Sequence, residues 1–184
     1  MKITETKLKG VLIIEPDVFH DERGYFFEAF NKTKYLQAGI CDEFVQDNIS
    51  RSVKNTIRGL HYQVGEFAQG KLCQVIKGEV MDVAVDLRFN SPTFGQYVSV
   101  VLDDISKRQL WIPRGFAHGF TVNSDEALFH YKCSAPYSKN HERAILYNDT
   151  ALNIDWQNDS PIVSPKDLQA AGFTEIQKDF FYDE

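Results

Sequence analysis

Short runs of β-branched and aromatic residues, punctuated by glycine, proline, asparagine and aspartate, recur along almost the whole chain. The pattern predicts strands over residues 11–14, 25–30, 44–50, 56–63, 71–76, 79–87, 96–102, 109–112, 116–122, 127–133 and 144–147. Strands this short and this closely spaced suggest a sandwich or barrel. The clearest alternation runs from Glu79 to Arg88. Met81, Val83, Val85 and Leu87 take one face, and Val80, Asp82, Ala84, Asp86 and Arg88 the other. Lys77-Gly78, just before it, reads as a tight hairpin turn. Helix signals are few. Asn31 is placed to cap a helix over residues 31–38 that Gly39 ends. Ser164-Pro165-Lys166-Asp167 offers a capping serine, a proline at the first helical position and an acid in the first turn, with Gly172 as the stop. A single domain over residues 1–184 is expected, mostly β with a few short helices.

Periodicity makes four polar residues conspicuous. His61 alternates with Ile57 and Gly59, His118 shares a face with Phe116, Phe120 and Val122, Tyr131 with Phe129 and Cys133, and Lys71 with Cys73 and Val75. Such positions point into the sandwich. A buried polar group without a hydrogen bond costs about 1–3 kcal/mol, and a buried lysine without an acid or a ligand costs more. One inward histidine is ordinarily a satisfied core residue. Four such groups together imply internal partners or a cavity that takes a ligand.

Composition narrows the ligand. Apolar residues make up 43% and charged residues 25%, the balance of an ordinary globular protein. The net charge is −6 with no basic run, which disfavours nucleic acid, whereas a few arginines and lysines can still converge on a small anion. Cys41, Cys73 and Cys133 have no metal-like spacing and read as reduced thiols of a cytoplasmic protein. The first residues lack an apolar signal region and no run approaches a membrane span, so export and membrane insertion are disfavoured. Metal-binding barrels of the cupin type use two histidines one residue apart, but here the place reads His61-Tyr62-Gln63. His61, His118 and His130 remain as a possible set, yet His130 falls on the face opposite Tyr131. No metal and no cofactor are expected. No nucleophile elbow, P-loop or dinucleotide fingerprint is present.

An ordered series of motifs then becomes informative. It begins at Asp21-Glu22-Arg23-Gly24 and continues with Arg58-Gly59-Leu60-His61-Tyr62-Gln63, Gly70-Lys71-Leu72, the stretch 78–88 and Ser91-Pro92-Thr93-Phe94-Gly95. Further on come the stretch from Trp111 to Phe120, Tyr131-Lys132-Cys133 and Ser164-Pro165-Lys166-Asp167. The set resembles the dTDP-4-dehydrorhamnose 3,5-epimerase family over a core of about residues 6–167. The resemblance implies a cupin-like jelly-roll homodimer. Its substrate would be a dTDP-linked 4-keto-6-deoxy-sugar, dTDP-4-dehydro-6-deoxy-D-glucose, and its product dTDP-4-dehydro-L-rhamnose, made without a cofactor. By position, it implies His61 as base, Tyr131 as proton donor, Asp167 as the carboxylate behind the histidine and Lys71 beside the keto oxygen. Arg23, Glu28, Gln46, Asp47, Asn48, Arg58, His118, Glu142 and Lys166 match substrate-contacting positions, and Tyr137 the aromatic that stacks on thymine. The sequence departs from the pattern at Arg114, where an acid is common, and at Tyr147, where tryptophan is expected.

These residue types suit the reaction. Epimerisation beside a ketone removes a proton from one face and returns one to the other, which calls for a base and an acid on opposite sides. An imidazole, with a free pKa near 6.5, can be the base, and a phenol, with a free pKa near 10, can donate. A cation at the carbonyl oxygen stabilises the enolate between the two steps. Three alternatives remain open. They are inversion at carbon 3 alone, a metal-dependent cupin oxygenase, and a sugar-nucleotide binding module without catalysis.

Overall fold

The computed structural model describes residues 1–182. Its first strands are β1 (Lys2–Glu5), β2 (Leu12–Glu15), β3 (Val18–Asp21) and β4 (Gly24–Phe27), followed by helix α1 (Lys32–Gln37). The body of the chain forms β5 (Gln46–Val53), β6 (Thr56–Gln63), β7 (Lys71–Lys77), β8 (Glu79–Asp86), β9 (Arg88–Phe89) and β10 (Tyr97–Asp103). Then come β11 (Gln109–Ile112), β12 (Phe116–Val122), β13 (Glu126–Cys133), β14 (Glu142–Ala144), β15 (Ile162–Val163), helix α2 (Pro165–Leu168) and β16 (Phe180–Phe181).

One six-stranded sheet runs β1-β2-β11-β7-β13-β5; a second runs β10-β8-β12-β6-β14, with β15 added in parallel to β6. The two close on an apolar layer of Cys73, Val75, Val80, Ala84, Phe116, Phe120, Val122 and Phe129. The mostly β sandwich that the strand pattern suggests is therefore the fold, in line with the cupin-like jelly roll that the resemblance implies. Both helices start where their caps were expected. Asn31 accepts from the Lys34 N–H and Ser164 from the Asp167 N–H. The second helix stops at Leu168, well before Gly172.

Several elements differ from the expectation. The strand expected over residues 25–30 is shorter and pairs only with β3, forming a separate hairpin. The strand expected over 144–147 lies earlier, at β14, because Glu142, Arg143 and Ala144 are the residues in register with β6. On β8, the face carrying Val80, Asp82 and Ala84 is the one between the sheets. Met81, Val83, Val85 and Leu87 pack outward under Ile145, Leu152 and Trp156.

The largest correction concerns β6. His118 pairs with His61 and Phe120 with Arg58, so two steps along β12 meet three along β6. This bulge flips the alternation, as such insertions do. Arg58 joins His61 on the inner face, while Ile57 packs outward with Met81 and Val83. Glycine on both strands permits the close approach: a Cβ on Gly59, at φ +134°, would lie 2.5 Å from Gly119 Cα.

Candidate active site

The inner faces of β6, β7, β12 and β13 converge beneath helix α2. A cavity of about 550 Å³ is lined there by Arg58, His61, Lys71, His118, Tyr131 and Asp167, among others. A second hollow of about 290 Å³ shares His61, Lys71 and Tyr131, and adds Gln46, Asn48, Tyr137 and Glu142. The three shared residues therefore stand where the two hollows meet.

His61 is built from both ends of its neighbourhood. The strand delivers its ring, and the capped start of α2 delivers Asp167, 106 positions away in sequence, whose Oδ1 lies 2.6 Å from Nε2. Asp167 is 3% exposed. Its carboxyl is held below the usual range. Burial, the largest single influence, pushes it up, but hydrogen bonds from His61 and Ser164 and the charge of His61 pull it further down. An ionised carboxylate only accepts, so Nε2 carries a hydrogen, and when the ring is neutral Nδ1 is its basic nitrogen. That is the basic tautomer, held in orientation.

Tyr131 lies on β13 in the alternation Phe129, Tyr131, Cys133. Burial pushes its phenol up to about 12, with Cys133 and Cys73 adding to the shift, so the hydroxyl keeps its proton. Lys71 is 9% exposed and has no acidic partner among the described residues; its Nζ stands 5.9 Å from the Tyr131 ring centroid. A buried ammonium left unpaired by the protein is expensive and calls for an anion from outside. Here the sequence expectation of an inward lysine gains its sharpest form.

Arg58 donates from Nε to Ser52 Oγ at 3.0 Å and presents the rest of its guanidinium to the larger hollow. Lys166, also on that wall, is paired with Glu142 at 2.5 Å, and Glu142 accepts from the Tyr137 hydroxyl at 3.0 Å. Gln46 donates to Asn48 and accepts from the Tyr137 N–H, which ties the smaller hollow together.

Three of the expected residues lie elsewhere within this chain. Arg23 is 85% exposed at the tip of the β3–β4 hairpin, paired with Asp21. Glu28 binds Lys34 and Asn31 beside a separate small hollow. Asp47 points to the outer face of β5, held by Lys132 at 2.8 Å and by His130. The two departures from the family pattern are peripheral: Arg114 pairs with Asp42, and the Tyr147 carbonyl accepts from Trp156.

Asp82 is the residue that sequence reasoning passed over. Wholly buried, its Oδ1 lies 2.6 Å from His118 Nε2, with Cys73 Sγ 3.7 Å from the same nitrogen. An acid within a strand buried on both faces was the available signal. Cys73, Asp82 and His118 place ligand-type atoms within 4.8 Å of one another, and burial pushes the Cys73 thiol well up. No described helix is long and apolar enough to cross a membrane.

Known proteins are similar to this chain over most of its length. The description of dTDP-4-dehydrorhamnose 3,5-epimerase matches residues 5–175. A relative of that name from Shigella flexneri is 52% identical over 182 residues, covering 98% of this chain and 99% of its own. A dTDP-4-dehydrorhamnose 3-epimerase from Streptomyces niveus is 35% identical, over 92% of this chain and 83% of its own. The solved 3,5-epimerase from Legionella pneumophila, in complex with dTDP-4-keto-L-rhamnose, is 48% identical and superposes with a TM-score of 0.96 over 100% of this chain and 99% of that one. With the sandwich, the ordered motifs and near-complete coverage in agreement, the chain belongs to the dTDP-4-dehydrorhamnose 3,5-epimerase family.

Proposed function

We propose that the chain is an isomerase that inverts carbons 3 and 5 of dTDP-4-dehydro-6-deoxy-D-glucose, giving dTDP-4-dehydro-L-rhamnose. The observation that carries this reading is the meeting of an oriented basic imidazole, a protonated phenol and an unpaired buried ammonium at one junction of two hollows. In a gluco-configured chair the hydrogens on carbons 3 and 5 are both axial and lie on the same face. One base therefore serves both. His61 Nδ1 takes each proton in turn, and Asp167 stabilises the imidazolium as it forms. Lys71 stands at the carbon-4 oxygen and holds the enolate. Tyr131 returns a proton from the other face. Arg58 and Lys166 suit the diphosphate, since guanidinium matches phosphate oxygens in a bidentate way. Tyr137 offers its half-exposed ring to the base.

Tyr131→Phe separates the two half-reactions. The variant is expected to keep deuterium exchange from heavy water into the recovered substrate while losing inversion by about 10²–10⁴-fold, the usual worth of a positioned acid. Equal loss of exchange and inversion would remove Tyr131 as donor.

The homodimer explains the stranded residues. The β3–β4 hairpin carries exposed Phe19 (64%), Tyr25 (54%) and Phe26 (66%) together with Arg23 at its tip. Seated on a second copy, the hairpin buries these rings and brings Arg23 and Glu28 to that copy's cavity. Co-expressed His61→Asn and Arg23→Ala chains should then show activity that neither variant has alone, because the mixed dimer holds one intact site. Absence of such complementation, with mixed dimers present, would place Arg23 outside the site.

A further inference from the structure

Two imidazoles stand opposite each other where β6 and β12 pair, His61 against His118. Each meets a carboxylate through Nε2 at 2.6 Å, His61 that of Asp167 and His118 that of Asp82. The first pair is open, with the His61 side chain 31% exposed. The second is sealed, at 7% for His118 and 0% for Asp82. The chemistry above uses the open pair and gives the sealed one no task beyond contact.

His118 has little freedom. Phe129 stacks on it at 5.9 Å between centroids, and Phe120 and Tyr131 flank it. Burial, the largest influence, holds its imidazole below the ordinary pKa although Asp82 pulls the other way, so the ring is neutral and one nitrogen carries no hydrogen. A neutral ring that donates from Nε2 to the carboxylate keeps Nδ1 as its acceptor, on a side chain that lines the cavity. Around it the wall is rich in donors, Arg58, Lys71, Lys166 and the Tyr131 hydroxyl. A sugar hydroxyl needs an acceptor too. The hydroxyl on carbon 3 swings when that carbon inverts and cannot stay on one fixed atom. The hydroxyl on carbon 2 keeps its place throughout.

We propose that Asp82 is a positioning residue that locks His118 as the Nε2–H tautomer, so that Nδ1 accepts a hydrogen bond from the carbon-2 hydroxyl of the sugar. The proposal rests on the epimerase reading and deepens it, adding a specificity determinant for the substrate.

The test combines ¹⁵N NMR of histidine-labelled full-length protein with kinetics on the native keto-sugar and its 2-deoxy analogue. In the wild type, His118 is expected to show Nε2–H and a bare Nδ1. The 2-deoxy analogue should have a KM raised about 3- to 10-fold, the worth of one neutral hydrogen bond. In Asp82→Leu no acceptor remains for Nε2, and the Cys73 S–H is placed to donate to it, so the hydrogen should move to Nδ1. Native kcat/KM should then fall about 10- to 100-fold, chiefly through KM, because an Nδ1–H facing the hydroxyl leaves a buried donor unsatisfied where an acceptor stood. Turnover of the 2-deoxy analogue should be the same in both proteins. A wild-type His118 that is doubly protonated or carries Nδ1–H overturns the proposal, even if Asp82→Leu fails to fold. So does equal loss on both substrates, which marks a merely structural role. Wild-type exchange of the native sugar with heavy water is recorded in parallel: its absence would sink the epimerase reading, whereas its presence with the wrong tautomer would sink only the lock.

Discussion

Replacing His61 with asparagine is expected to stop deuterium exchange at carbon 3 and at carbon 5 together, lowering both by about 10²–10⁴-fold. The expectation follows from geometry. His61 is the imidazole whose carboxylate partner, Asp167, holds Nε2 and leaves Nδ1 as the free nitrogen, while the ring still faces open space. His118, its neighbour across the ladder, is sealed and turned to Asp82. Asparagine retains roughly the size of the ring's inner half and a hydrogen bond toward Asp167, but has no basic nitrogen. The measurement is single-turnover exchange in heavy water, read by NMR at each carbon. Loss at one carbon with full exchange at the other would require a second base.

Lys71→Ala carries the other large effect. A proton beside a ketone is far less acidic than imidazolium, so proton removal is feasible only if the enolate oxygen is held strongly. An ammonium in a water-poor site does this without reorganising, and loss of one such donor typically costs about 10²–10³ in kcat. Lys71 is a buried lysine with no acid partner among the described residues, and unlike Lys107, whose Nζ bonds the Tyr25 hydroxyl, it lines the cavity. Turnover of Lys71→Ala should fall by that factor while dTDP affinity, measured by calorimetry, stays near wild type. An unchanged turnover would clear Lys71 of enolate stabilisation. A loss confined to dTDP affinity would reassign it to the nucleotide.

Alternation along single strands made much of this site legible in advance. The runs Phe116, His118, Phe120 and Phe129, Tyr131, Cys133 point inward as their spacing requires, and so does Lys71 beside Cys73 and Val75. Such reading fails where a strand departs from regular pairing. At Arg58 and His61 the bulge against Gly119 reverses the face, so Ile57, which alternation grouped with His61, packs on the other side. It also fails where both faces of a strand are buried. β8 lies between the inner layer and the C-terminal segment, and periodicity alone could not say that Asp82 looks inward.

The pairing of His61 with Asp167 joins positions 106 apart, so no local pattern contains it. The family motifs supplied that partner. They also named Arg23 and Glu28, which the isolated chain holds away from the cavity. A sequence pattern records what a functional assembly brings together, whereas the single chain shows only what it folds by itself. On the proposed dimer reading, the exposed aromatic hairpin would carry them to a second copy.

Incubation of the wild-type protein with dTDP-4-dehydro-6-deoxy-D-glucose in heavy water puts the reading to its most direct trial. Solvent deuterium should enter carbons 3 and 5, and the product should have both centres inverted. Protium retained at both carbons, in protein that still binds the sugar nucleotide, would contradict it.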